Sequence, residues 1–321
     1  MGWGQWDRMA VEGARLGLGG MALDGAHGPI DRARAVRLVQ QALDTGVVLI
    51  DTADSSLRGT VRRVVGRAVA SRRGDALIAV HSRPFDGGGD GGDVTAGAGP
   101  RTLVADCERA LKQLGLDCID VYVVHPGGPG APIEEQIGEL SGLVQAGKIH
   151  GVGVGVGIGG ACPTQLARAH ATHPIAVLAV EYSLWQRQAE CELLPLARRL
   201  GIRLMACQPL GRGLLTGRIT AATRLGARDP RRVDPRFSAE GLSAAQNSLR
   251  ALEAIAADTH LGAGRLALAW LLSRGADVIP VPSTRDPVHL EMNLSTCDLR
   301  LEPETQHRLS AIFGRGGGDP L

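Results

Sequence analysis

Lysine and tyrosine are nearly absent from this 321-residue chain. Lys112 and Lys148 are its only lysines, Tyr122 and Tyr182 are its only tyrosines, and aromatic residues make up 3% of the sequence. The 35 basic residues are therefore almost all arginine. Any mechanism that needs a lysine or a tyrosine has to use one of these four side chains.

Strong net charge, long apolar runs and paired cysteines are also missing. A formal charge of +2 gives no reason to expect nucleic acid or an anionic membrane as a partner. The longest apolar runs, such as 152–158, are far shorter than a bilayer span, and the first residues show no signal-peptide pattern. The six cysteines form no CxxC motif, so we expect free thiols in a cytoplasmic protein.

Short apolar segments alternate with longer helical patterns along the chain. The strand candidates lack polar alternation, which is typical of parallel strands buried on both faces. They cover residues 15–18, 47–50, 77–80, 119–124, 149–154, 177–180, 203–206 and 278–281. Helix candidates lie at 31–45, 58–70, 101–114, 133–146, 163–171, 190–200, 244–259 and 265–273, with further helix ending near 313. This alternation predicts one (β/α)8 TIM barrel domain over residues 1–321.

Two segments are predicted to be long loops. Residues 86–100 are Gly-rich and follow the third strand candidate, whereas residues 218–240 are a basic segment after the seventh. Active sites of such barrels lie among the loops at the C-terminal strand ends. Both loops are therefore expected to border the pocket, although 86–100 is equally consistent with a linker.

A collinear series of motifs resembles the aldo-keto reductase family from residue 16 to residue 295. The stretches are LGLGGMAL, VVLIDTAD, IDVYVVH, VQAGKIHGVGVG, EYSLWQR, PLGRGLLTG, DPRRVDPRF, LALAWLLSRGADVIPVPSTR and LEMNLS. The resemblance implies a barrel that binds a nicotinamide dinucleotide without a Rossmann domain and reduces carbonyl compounds. In such enzymes a Tyr donates the proton, with help from a Lys, an Asp and a His.

Only half of that catalytic set is present at the matching positions. Asp51 and His125 stand where the family has its Asp and His, but Ser56 replaces the Tyr and His81 replaces the Lys. No shift of alignment restores the pair, because both tyrosines and both lysines match non-catalytic positions of the family.

The positions that match the cofactor contacts are altered as well. Gly155, Val156 and Ala179 replace the polar residues that hold the nicotinamide amide, and Cys207 replaces the stacking ring. Each lost contact weakens binding by about 1 kcal/mol or more. We therefore expect no nicotinamide cofactor, with NADP as the alternative.

Part of the dinucleotide site survives. His289 and Met292 replace an Arg and a Glu at the adenosine end. The residues that would contact a bound dinucleotide are Asn293 and the turn that resembles the family's pyrophosphate cradle, Gly211, Arg212, Gly213 and Leu214. The same turn is also explained by barrel geometry, because glycine permits its backbone angles.

The candidate catalytic residues are those that the resemblance brings to the barrel floor, namely Asp51, Ser56, His81 and His125. Two imidazoles beside a carboxylate suit proton transfer at neutral pH. They predict elimination, isomerisation or cyclisation of a small organic substrate, for instance in specialised metabolism, without a redox cofactor. The side chains expected to line the substrate pocket are Phe85, Trp185, Cys207 and Gln208.

Other interpretations of these residues stay open. Ser56, His81 and Asp51 also suit a nucleophilic triad, although the chain has no G-x-S-x-G elbow. Two histidines and a carboxylate also suit a metal, although no ligand spacing supports one and we expect none. Further alternatives are a buried structural pair, an NADPH-dependent carbonyl reductase with His125 as proton donor, and a non-catalytic regulatory or scaffold relative. The sequence does not indicate the substrate or the oligomeric state.

Overall fold

The computed structural model describes residues 15–25, 28, 30–53, 59–82, 103–126, 132–156, 162–220, 222–226 and 229–313. Eight parallel strands pair in chain order, from the first to the eighth. They are β1 Leu18–Gly19, β2 Leu49–Asp51, β3 Leu77–His81, β4 Ile119–Val124, β5 Ile149–Val156, β6 Ile175–Glu181, β7 Arg203–Cys207 and β8 Val278–Pro280.

Backbone hydrogen bonds between the first and last strands close the sheet. The Gly17 amide donates to the Pro280 carbonyl at 2.8 Å, and the Gly19 amide donates to the Pro282 carbonyl at 3.0 Å. Gly19 also forms a parallel bridge with Ser283. The predicted (β/α)8 barrel is therefore confirmed.

Helices connect the strands and cover the outside of the sheet. They are α1 Arg32–Asp44, α2 Thr60–Val69, α3 Leu103–Leu114, α4 Ile133–Gln145, α5 Pro163–Thr172, α6 Leu193–Arg199, α7 Ala239–Asp258, α8 Ala263–Leu272, α9 Pro287–Leu294 and α10 Pro303–Ile312. Of the helices that the structure describes, none is both long and apolar enough to cross a membrane.

The two faces of the sheet form two separate cores. Even-numbered residues of β4, such as Tyr122 and Val124, face the helices and join the larger core. Odd-numbered residues such as Val121 and Val123 face the barrel interior and form a smaller core with Ala79. This alternation follows from the two-residue period of a strand. It turns the next odd-numbered residue, at position 125, toward the barrel interior.

Of the two predicted loops, the structure describes most of the second and none of the first. Residues 86–100 lie outside the described residues. The basic segment contains 3-10 turns at Pro230–Val233 and Pro235–Phe237, and α7 begins at Ala239 rather than at 244. The helix starts early because the Ser238 side chain accepts a hydrogen bond at 3.0 Å from the Gly241 amide, which caps its first turn.

Candidate active site

A cavity of about 1220 Å³ opens at the C-terminal ends of the strands. Its floor includes Asp51 at the end of β2, His81 at the end of β3 and His125 directly after β4. These three residues are far apart in sequence. In the parallel register Asp51 pairs with Ala79, two residues before His81, and His81 pairs with Val123, two residues before His125. The tilt of barrel strands brings such staggered positions to a similar level. Three of the four candidate catalytic residues therefore lie together. Ser56 lies outside the described residues.

The two histidines and the aspartate form a chain of contacts. His81 Nδ1 lies 2.7 Å from His125 Nε2, and the two rings meet edge to edge, with centroids 5.0 Å apart and 27° between their planes. His81 Nε2 lies 3.0 Å from Asp51 Oδ1, although the angles of this contact are not those of a hydrogen bond. Asp51 Oδ1 also accepts a hydrogen bond at 3.0 Å from the Ala53 amide, which fixes the carboxylate.

Burial keeps His125 neutral. The pKa of His125 is lowered from 6.5 to about 3. Burial is the largest cause, proximity to His81 acts in the same direction, and the Asp51 carboxylate opposes the shift. His125 lines the cavity, and its Nδ1 has no hydrogen-bond partner within the described part of the chain.

We expect His125 to make the fold sensitive to acid. Between pH 6.5 and 3 the unfolded chain binds a proton on His125 that the folded chain does not, so the free energy of unfolding falls as the pH falls. At about 1.4 kcal/mol per pKa unit, the loss between pH 6.5 and 4.5 is about 2–3 kcal/mol. Urea unfolding at both pH values should show this loss in the wild type and a smaller one in His125→Gln. Equal losses in the two proteins would contradict the assignment.

Two strained residues stand beside the cavity at the end of β7. Gln208 and Arg212 adopt left-handed backbone angles, with φ of 50° and 54°, and the Arg212 Nε donates to the Gln208 side-chain oxygen at 2.9 Å. Such angles cost of order 1–3 kcal/mol in a non-glycine residue and cluster at functional sites. Next to them, burial is the main cause that raises the pKa of the Cys207 thiol, which therefore remains neutral.

An ion-pair network ties the basic segment to the barrel. Arg236 contacts the Glu181 carboxylate at the end of β6, and its Nη2 lies 2.7 Å from Asp234 Oδ2. Arg212 approaches the same Asp234 at 3.5 Å. The network therefore holds this segment against the cavity, since Glu181 and Arg212 both line it.

Removing the central guanidinium should destabilise the protein. Arg236→Met leaves Glu181 and Asp234 partly buried without their main partner, and we expect a loss of about 2–4 kcal/mol in the free energy of unfolding. Arg308→Met breaks an exposed pair with Asp258 and should cost about 0–1 kcal/mol. Urea denaturation of both variants tests the difference, and similar losses would show that the network carries no special weight.

Some of the remaining predicted site residues line the cavity and others do not. Arg212, Gly213 and Asn293 line the cavity, as do Cys207 and Gln208. Three others do not appear in its described wall, because Gly211 and Leu214 are buried in the turn and Trp185 is buried against Phe313. Phe85 lies outside the described residues.

All four tyrosine and lysine side chains are located away from the cavity. The Tyr122 hydroxyl donates to Asp106 at 2.6 Å under α3, and the Tyr182 hydroxyl donates to Glu190 at 2.9 Å. Lys112 and Lys148 border a separate depression on the outside of the barrel. None of the four belongs to the described wall of the cavity.

Sequence reasoning missed two parts of this site. Arg62 on α2 is buried, lines the cavity and donates from Nη2 to the His81 carbonyl at 2.8 Å. A single arginine beside the apolar stripe of a helix gives only a weak signal. The contact of Arg236 with Glu181 gives no signal at all, because the partners are 55 residues apart.

The chain belongs to the aldo/keto reductase family, whose sequence model matches residues 15–313. It is 32% identical over 296 residues to the probable aldo-keto reductase 1 of Glycine max, covering 90% of this chain and 82% of the relative. The structure of glycerol dehydrogenase from Gluconobacter oxydans matches with a TM-score of 0.81 at 27% identity, over 96% of this chain and 93% of that chain. An aldo-keto reductase from Klebsiella pneumoniae, solved in complex with NADPH, shares the fold with a TM-score of 0.70 at 23% identity, over 96% and 95% of the two chains. The predicted family is confirmed.

The residues expected at the nicotinamide end of a dinucleotide offer it no polar side chain. Val156 and Ala179, which the sequence resemblance matches to the positions for the nicotinamide amide, line the cavity with apolar side chains. At the third position the His125 ring lies where a side chain on Gly155 would begin. Arg212 and Asn293 remain available for the phosphate and adenosine end. Among the described residues, no group of three or more His, Cys, Asp and Glu side chains is arranged to hold a metal ion.

Proposed function

We propose that this protein is an aldo-keto reductase family enzyme that moves protons on a small organic substrate without a nicotinamide cofactor. The observation that carries this proposal is the 2.7 Å contact of His81 Nδ1 with His125 Nε2, with Asp51 on the other side of His81. The reaction class is elimination, isomerisation or cyclisation, because none of these needs a redox partner. The substrate is small enough to enter the cavity from the C-terminal face.

The Asp51 carboxylate decides where the protons of the resting site lie. It favours a proton on the adjacent Nε2 of His81, which leaves His81 Nδ1 as a hydrogen-bond acceptor. The 2.7 Å contact then requires the proton on His125 Nε2. His125 Nδ1 consequently presents a lone pair to the cavity and acts as a general base.

Uptake of a substrate proton reverses this hydrogen bond. When His125 Nδ1 takes the proton, His125 passes its Nε2 proton to His81 Nδ1, and His81 becomes an imidazolium beside Asp51. His125 stays neutral throughout, in keeping with its lowered pKa, and the positive charge rests next to the carboxylate. His125 Nδ1 now carries a proton and acts as a general acid. Removal of a proton at one atom and its return at another is an isomerisation.

Two further observations support the proposed chemistry, and a third bears on the location of the protein. The tyrosine hydroxyls are hydrogen-bonded outside the cavity, and the two lysines border a separate depression. The nicotinamide end lacks polar side chains at Val156 and Ala179. All six cysteines are free, in agreement with the cytoplasmic location that we propose.

Cofactor-stripped protein tests the proposal directly. We would incubate it in D2O with a panel of small aldehydes, ketones and hydroxy acids, and follow deuterium incorporation and new products by NMR. We expect exchange or rearrangement of at least one compound class without any added nucleotide. Turnover that appears only after NADPH is added would overturn the proposal.

An NADPH-dependent carbonyl reductase with His125 as proton donor is the second candidate. The relative solved with NADPH favours it. Arg212 and Asn293, which match dinucleotide-binding positions of the family and line the cavity, favour it as well. Under this alternative NADPH should bind tightly and be oxidised when a carbonyl compound is added. A non-catalytic regulatory role would instead leave the cellular phenotype unchanged when both histidines are replaced by Ala.

A further inference from the structure

We infer that Gly155 is a positioning residue whose missing side chain lets the His125 imidazole lie against His81. The inference rests on the proposed function for its catalytic meaning, but the geometry that carries it does not. Gly155 lies on β5, and this strand contributes no titratable side chain to the contacts among Asp51, His81 and His125.

The backbone at position 155 leaves space that the imidazole fills. A Cβ placed on Gly155 would lie 2.3 Å from Cε1, 2.5 Å from Nδ1 and 2.8 Å from Nε2 of His125. Real Cβ atoms do not approach other heavy atoms so closely, so a side chain at 155 and this His125 position exclude each other. The overlap includes both ring nitrogens on which the proposed proton transfer depends.

The sequence of β5 explains why the space exists. Val121 is paired in register with Gly151 and Val123 with Gly153, so glycines on β5 lie beside the inward-pointing residues of β4. Position 155 continues this row one step further, next to His125. At Gly153 the three atoms nearest to an added Cβ would be Val123 Cγ2 at 2.9 Å, Val121 Cγ1 at 3.2 Å and the Val177 carbonyl oxygen at 3.2 Å, and none of them belongs to a histidine. Gly153 is therefore a matched control in the same strand.

Displacement of the ring would change its surroundings. The titratable groups that act on His125 are His81 on β3 and Asp51 on β2. A ring pushed away from Gly155 loses the 2.7 Å contact with His81 and moves toward the solvent of the cavity. Its titration should then return toward that of an ordinary histidine.

Histidine NMR tests the inference without a substrate. We would record the pH titration and the tautomer-sensitive ring nitrogen signals of the wild type, Gly155→Ala and Gly153→Ala, and assign His125 with His125→Gln. We expect His125 to titrate near its ordinary range in Gly155→Ala alone, and to keep its wild-type behaviour in Gly153→Ala. A folded Gly155→Ala protein with wild-type His125 signals would overturn the inference.

A double variant covers the case in which Gly155→Ala does not fold. His125→Ala removes the imidazole and with it the overlap. Gly155→Ala/His125→Ala should therefore unfold at the same urea concentration as His125→Ala alone. A lower unfolding midpoint in the double variant than in His125→Ala would show that the side chain added at position 155 overlaps with a residue other than His125, and it would overturn the inference. If these readouts are as expected but no cofactor-free turnover is found, the proposed function fails while the positioning role stands.

Discussion

His125→Gln is expected to lower the cofactor-free turnover by about 10²–10⁴-fold, which is the usual contribution of a positioned acid or base. The glutamine side chain fills similar space, but it cannot accept a proton at the position of Nδ1 and pass another to His81. The fold should survive, because His125 lines the cavity and His81 keeps its contact with Asp51. The measurement is kcat and KM on the substrate found with cofactor-stripped protein.

The relay also predicts how the effects of two substitutions combine. His81→Gln should reduce kcat by a similar factor, and the double variant should be hardly slower than either single one, because residues that act as a unit are not additive. His307→Gln, on the exposed face of α10, is the control and should leave kcat unchanged. Losses that multiply in the double variant would contradict the relay. So would a His125→Gln protein with wild-type kcat.

NADPH should bind weakly to the wild-type protein, and binding should improve when polar side chains are restored. Val156→Asn with Ala179→Gln returns amide groups to two cavity-lining positions at the nicotinamide end. At about 1 kcal/mol for each regained hydrogen bond, the expected gain in affinity is roughly 30-fold. Calorimetric titration of NADPH into both proteins measures it.

The control for this gain is Ala171→Gln, an exposed alanine-to-glutamine change on α5, which should leave the NADPH affinity unchanged. Tight binding to the wild type, followed by NADPH oxidation on addition of a carbonyl compound, would establish the reductase alternative. An unimproved double variant would show that the lost amide contacts are not what limits the affinity.

Much of the fold could be predicted because hydrophobic periodicity is a local property. The strands at Ile119–Val124 and Leu77–His81 were predicted to within one residue. The start of α7 was missed because Ala239–Ser243 has no apolar stripe of its own, and the cap at Ser238 begins the helix. The pairing of β1 with β8 joins residues at opposite ends of the chain, which no local pattern reports.

The sequence by itself determined the order of strands and helices, the family, and the scarcity of tyrosine and lysine. It also pointed to Asp51, His81 and His125 as one site, through motif positions. Only the tertiary structure decided that His81 Nδ1 meets His125 Nε2, that Gly155 leaves room for this contact, and that Arg236 holds the basic segment to Glu181. These features depend on the register of neighbouring strands and on the space and the charged partners available to each buried side chain. The register and the surroundings of each side chain result from packing across the barrel, so they are fixed only when the sheet closes.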